Sequence, residues 1–127
     1  MPETSLRSRI LDPVIMKLRL VPGQPVDDDR EAVASSLVGV TPLEYEGAAY
    51  VVANRAETRW ARTLRAVGRG EFIGWLGNKA FRAVEVDGRE RERVVTTYRN
   101  ALGRLARDYF EQFPNPADHP TFRLEPI

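Results

Sequence analysis

Leu37-Val38-Gly39-Val40-Thr41-Pro42-Leu43-Glu44-Tyr45, then Glu46-Gly47, then Ala49-Tyr50-Val51-Val52-Ala53, is the stretch on which the fold turns. Two β-branched and aromatic runs flank a Glu-Gly pair. Glycine takes positive φ at little cost, so residues 37–45 and 49–53 read as two strands joined by a tight turn. Residues 54–69 then read as a helix. Asn54 and Glu57 have the spacing of a capping box, and Trp60, Leu64 and Val67 recur on one face. Gly68 and Gly70 end it.

Working outward, the C-terminal side predicts a strand at 71–76, a hairpin turn at Gly77-Asn78 and a returning strand at 79–86. Asp87 and Glu90 again have capping-box spacing, and open a long helix. Val94, Tyr98, Ala101, Leu105, Tyr109 and Phe113 form its apolar stripe, with Gly103 as a kink or a division. Pro114-Asn115-Pro116 stops the helix, and residues 121–125 predict a short last strand. On the N-terminal side, Val14, Met16, Leu18 and Leu20 alternate with Lys17 and Arg19, which predicts a strand over 14–21 with one buried face. Pro22-Gly23-Gln24-Pro25 breaks it, residues 22–36 read as a loop carrying Asp27-Asp28-Asp29, and residues 1–12 read as frayed. The expectation is a single α+β domain with about six mostly antiparallel strands in a small barrel-like sheet and two main helices.

Composition narrows the chemistry. The 127 residues are 43% hydrophobic and 29% charged, a globular balance. A net charge of +1 points neither to nucleic acid nor to an anionic membrane surface. The chain has no cysteine and one histidine, His119, which excludes disulfides and thiolate chemistry and leaves no metal-ligand set. No apolar run approaches the roughly 20 residues of a membrane helix, and no signal core precedes residue 12, so a soluble cytoplasmic protein is expected. No nucleophile–base pair or paired-carboxylate arrangement is visible.

A few residues carry two readings. Ala53-Asn54-Arg55 marks a strand-to-helix junction, where free backbone N–H groups and an arginine suit an anion; an ordinary helix start reads the same way. Trp60 reads as core or as the wall of a pocket, core being the simpler. Arg62, Arg65 and Arg69 share a helix face, which is either a solvated face or a ridge for an anionic ligand. His119, in a proline-rich loop, reads as structural rather than catalytic.

Thr41-Pro42-Leu43, Tyr50-Val51-Val52-Ala53-Asn54-Arg55, and Thr58-Arg59-Trp60-Ala61-Arg62-Thr63-Leu64-Arg65-Ala66 with Gly68 together resemble the deazaflavin-dependent nitroreductases. These belong to the flavin/deazaflavin oxidoreductase superfamily, whose fold is a split β-barrel. The closing stretch from Pro114 to Leu124 resembles the tail of one branch of that family. The resemblance implies a small split β-barrel, often dimeric. It also implies a deazaflavin coenzyme (F420) that donates hydride to a small-molecule acceptor such as a quinone or nitroaromatic compound. Carried onto this chain, Thr41, Pro42, Ala53, Asn54 and Arg55 would frame the ring and phosphate, Trp60 would shape the pocket, and Arg62 and Arg65 would meet the anionic tail. Two positions depart from the family pattern. The stretch before Thr41 carries Arg30 as its one basic residue, where the family has a basic glycine-rich loop, and Thr63 replaces a helix asparagine. Fewer basic contacts also suit flavin mononucleotide (FMN), or a non-catalytic barrel that binds another small ligand or serves as a structural dimer.

Overall fold

The computed structural model describes residues 8–18, 37–54, 58–74 and 77–127. The expected loop 22–36 with its aspartates and Arg30, Leu20, Arg55, Glu57 and the side chain of Leu105 lie outside the described residues. In chain order the strands are β1 (Ser8–Ile10), β2 (Val14–Lys17), β3 (Leu37–Val40), β4 (Leu43–Tyr45), β5 (Ala48–Val52), β6 (Arg69–Gly74), β7 (Gly77–Val86) and β8 (Thr121–Pro126). The helices are α1 (Arg59–Val67), α2 (Gly88–Leu102) and α3 (Arg107–Gln112), with short 3-10 turns at Gly103–Ala106 and Pro116–Asp118.

The α+β class and the two main helices agree with the sequence. The six-stranded split barrel does not. The described residues form one eight-stranded sheet in the order β1-β4-β5-β8-β7-β6-β2-β3, antiparallel at every pairing. The expected strand over 37–45 is broken at Thr41-Pro42, because proline has no N–H for the ladder. Its partner breaks at Leu11-Asp12-Pro13, and the polar segment 8–10, expected to fray, pairs with β4 instead. Between the pairs Ile10–Leu43 and Val14–Val40, three residues face two, which is a bulge. Only the Leu11 N–H bond to the Pro42 carbonyl, 2.9 Å, spans this corner. Continuous pairing is lost there, so the ladder stays open, with β1 and β3 at its ends.

Other boundaries move for local reasons. Thr58 caps α1, its hydroxyl oxygen accepting from the Ala61 N–H at 3.3 Å, so the helix starts at Arg59 and not at Asn54. Gly68 closes it at φ 76°, as the glycine suggested. Gly70, read as a second helix stop, lies in β6 opposite Phe81; a Cβ there would come within 2.9 Å of the Phe81 ring and of Leu18. Gly77 and Asn78 are not the turn but the first residues of β7, paired with Gly74 and Ile73. Asp87 makes no side-chain capping bond at the start of α2, and Glu90 is engaged elsewhere. The long helix divides at Gly103, whose φ of 54° favours glycine. That break shifts the phase of the stripe: Phe110 is buried, while Tyr109 is 42% exposed.

Strand β5, third in the ladder, carries side chains into cores on both of its faces, which explains its unbroken apolar run. Val51 points into a core with Met16, Leu18, Phe81, Phe122 and Leu124, closed by Ala61 and Leu64 of α1. Strands far apart in the ladder, β2 and β5, share that core, so the sheet curls around it. Tyr50 and Val52 point the other way, into a second core with Leu43, Val86 and the Val94, Val95, Tyr98 and Phe110 side chains of α2 and α3. No helix among the described residues is long and apolar enough to cross a membrane.

Candidate functional site

The bulged corner that opens the ladder also forms one wall of a cleft of about 550 Å³, a size that suits a small ligand. Pro13, Val14 and Ile15 line it from the corner and β2, Gly39 and Val40 from β3, and Thr41 from just beyond β3. Ile73 and Gly74 of β6 close the side beyond β2. The opposite side is built where β5 runs out toward α1, from Val52, Asn54 and Trp60, with Tyr98 of α2. A second hollow of about 450 Å³ continues past Asn54 and Trp60 toward Thr58, Arg59 and Tyr109. Asn54 and Trp60 line both, so they stand at the junction of a two-lobed site. Gly39 lines the cleft, and a Cβ there would meet no atom within 4 Å.

The walls are mainly aliphatic, with few polar groups. Among these, the side-chain oxygen of Asn54 is buried and has no hydrogen-bond partner among the described residues. Native proteins pair nearly all such atoms, because an unpaired buried acceptor costs about 1–3 kcal/mol. Tyr98 is 4% exposed, and burial pushes its hydroxyl up to about 12, so it keeps its proton at neutral pH.

Of the residues singled out in the sequence, Thr41, Asn54 and Trp60 come together at this cleft. Trp60 packs against the core, tilted on Phe122 at 6.2 Å, and also lines the cleft. Pro42 is buried at the corner, and its carbonyl takes the Leu11 bond. Ala53 is fully buried, and its backbone is committed on both sides: its N–H donates to the Pro120 carbonyl at 2.8 Å, and its carbonyl faces His119 Nδ1 at 2.8 Å. Arg62 is exposed on α1 and lines neither lobe. Arg65 makes a two-pronged pair with Glu85 of β7, at 2.6 and 2.8 Å. Arg55 lies outside the described residues.

The sequence does not single out Ile73 or Arg59, which line the cleft and its second lobe. Ile73 looks like any strand residue, and only the β2–β6 pairing carries it to the cleft. Tyr109 reads as core or as a donor to a ligand, core being the simpler, and the phase shift at Gly103 turns it outward to line the second lobe. Arg59 had a signal, its place just after the helix cap, where a cation is unusual.

His119 is wholly buried, stacked on Phe110 at 4.3 Å, with Nδ1 2.8 Å from the Ala53 carbonyl and Nε2 2.6 Å from the Phe113 carbonyl. It ties the end of α3 to the β5 exit and is not a cleft residue. On the face toward α2, Tyr50 donates to Glu90 at 2.7 Å and Arg123 donates to the same oxygen at 2.6 Å. Burial opposes charge on Glu90, but these two bonds and the Arg123 charge hold its carboxyl below the usual range. Burial, then the Glu90 contact, pushes Tyr50 up to about 12.

Among the described residues no group of three histidine, cysteine or acidic side chains is placed to hold a metal. No family model matches the chain, and no curated protein matches it.

Proposed function

We propose that the two-lobed cleft binds a planar redox ring, and that the protein is a deazaflavin-dependent oxidoreductase acting on a quinone, nitroaromatic or other conjugated acceptor. The observation that carries this reading is the meeting of Thr41, Asn54 and Trp60 at one apolar cleft. These residues belong to the motifs that resemble the deazaflavin nitroreductases. The chemistry of the site fits a ring: aliphatic walls and an indole for the faces, with Thr41, Asn54 and Tyr98 as its polar residues.

A reduced deazaflavin, when bound, supplies the hydride itself. The chain's own part is to bind and orient. Trp60, Ile15 and Val40 exclude water from the ring faces, and the second lobe beside Tyr109 leaves room for an acceptor. Tyr98 offers a neutral hydroxyl.

Flavin mononucleotide is the second reading, and one observation favours it. Arg65 is committed to Glu85 and Arg62 stands off the cleft, so neither of these two arginines is offered to a long anionic tail. Titration of the protein with oxidised deazaflavin coenzyme and with flavin mononucleotide, followed by tryptophan fluorescence, tests both. Saturable binding that Gly39→Leu abolishes, without loss of the folded state, is expected. Gly39 lines the cleft, and a side chain there starts free of any clash with the folded protein. Binding of either ligand that survives Gly39→Leu would move the site elsewhere, and no binding to either would end the reductase reading.

A further inference from the structure

The lining of the main lobe contains no charged side chain, and its one ionisable group is the Tyr98 hydroxyl. Helix α2 sets the Tyr98 ring in the second core with Val94, Val95 and Phe110, which leaves the residue 4% exposed. Thr41, Asn54 and Trp60, the other polar residues of the lobe, are only partly buried. The Tyr98 hydroxyl has no hydrogen-bond partner among the described residues, yet it is not sealed from solvent: the buried side-chain oxygen left without a partner there is that of Asn54. The Tyr98 oxygen therefore keeps an open surface, and the opening that Tyr98 lines is the cleft. A core-held phenol with a free O–H is a fixed donor in an otherwise mainly apolar wall. Burial keeps its proton in place at neutral pH.

We infer that Tyr98 is the polar anchor of the cleft and donates its O–H to a carbonyl oxygen of an uncharged ring, so that the site takes quinone- or imide-type rings in preference to aromatic carboxylates. The inference rests on the ring-binding reading of the cleft and goes further, because it names the residue that orients the ring and the charge the ring must have. Phenols donate better than they accept, since the ring withdraws the oxygen lone pair, so the partner is an acceptor. A carboxylate is an acceptor too, but it would enter the lobe with no cation in the lining, and a buried charge without a partner is costly. A neutral carbonyl meets the same donor without that cost. Thr41 brings a second hydroxyl, but water reaches it more freely and competes for it, so its bond adds less.

Lumiflavin is uncharged and carries ring carbonyls, so it tests this directly. Flavin fluorescence titrations are run on the wild type, on Tyr98→Phe and on Thr41→Val. Tyr98→Phe is expected to weaken binding by about tenfold, and by more than Thr41→Val does. The infrared carbonyl stretch of bound lumiflavin should lie lower in the wild type than in Tyr98→Phe, a shift that follows from the hydrogen bond and not from packing. Thermal melting of Tyr98→Phe should match the wild type at neutral pH, because the hydroxyl makes no bond among the described residues. For the charge, 1,4-naphthoquinone should displace lumiflavin from the wild type, and 1-naphthoate, ionised at neutral pH, should do so about tenfold less readily or worse. Equal affinity in the wild type and Tyr98→Phe, an unshifted carbonyl stretch, a larger loss in Thr41→Val, or equal displacement by naphthoate each overturns the inference and leaves the ring site standing. A strongly lowered melting temperature in Tyr98→Phe assigns the hydroxyl a structural role and overturns it too. If lumiflavin does not bind the wild type, the ring-binding reading falls, and this inference with it.

Discussion

Both ring nitrogens of His119 lie against backbone carbonyls, Nδ1 at 2.8 Å and Nε2 at 2.6 Å. The ring is a tether between the β5 exit and the α3 end, reinforced by its stack on Phe110. It holds Ala53 one residue before Asn54, so a residue outside the cleft fixes the backbone beside the cleft's lining. Replacing it with alanine would leave the Ala53 and Phe113 carbonyls without their ring partner and open a cavity beside Phe110. His119→Ala is therefore expected to cost about 3 kcal/mol or more of unfolding free energy, measured by urea denaturation. A loss below about 1 kcal/mol would mean that water already serves those carbonyls. A lone histidine in a proline-rich stretch said only that the residue was more often structural. Which carbonyls it meets depends on residues 66 and 6 positions away, and no local pattern encodes that.

At the scale of elements, α1 shows how a side chain four residues along can move a boundary. Asn54 and Thr58 are both good cap residues, and periodicity alone does not choose between them. Thr58 wins because its oxygen reaches the Ala61 N–H, which frees Asn54 to enter the cleft. Thr58→Ala should lower stability by about 1 kcal/mol in chemical denaturation, while Asn54→Ala should not. Equal losses in the two variants would return the cap to Asn54. The division of the last helical region at Gly103 was legible because glycine interrupts an otherwise continuous stripe. Its effect on Tyr109 was not, since the phase of α3 depends on how the short turn between the helices packs. The bent strands were half legible. Pro42 announced a break, whereas Ser8-Arg9-Ile10 carries too little apolar pattern to announce a strand, and pairs with β4 through backbone bonds.

Over the whole molecule, the second core carries the response to pH. Glu90 has its folded-state pKa lowered by Tyr50 and Arg123 in spite of its burial, so it contributes stability that is present above its ordinary value of 4.5 and is lost as pH falls below it. Glu90→Gln should flatten the acid limb of a stability profile. Tyr98 has its pKa raised from 10.0 to about 12 by burial, so the unfolded chain loses its proton first and stability falls as pH rises from 10 toward 12. Tyr98→Phe should remove a loss on the order of 2–3 kcal/mol across that window, read from urea midpoints at each end. Tyr50 acts in the same direction, so the wild type should show the steeper alkaline limb.

The sequence by itself determined the α+β composition, the alternating face of Met16 and Leu18, the buried run of β5, and the glycine that ends α1. Each of these depends on a period or a backbone preference that acts over a few residues. Tertiary structure decided the eight-stranded open ladder, the orientation of Tyr109, the commitment of Arg65 to Glu85, and the meeting of Thr41, Asn54, Trp60 and Ile73 around one cleft. The physical reason is that these depend on which strand edges find one another. Backbone N–H and C=O groups look alike in every strand, so the choice is made by how the curled sheet buries its two cores and not by any one segment.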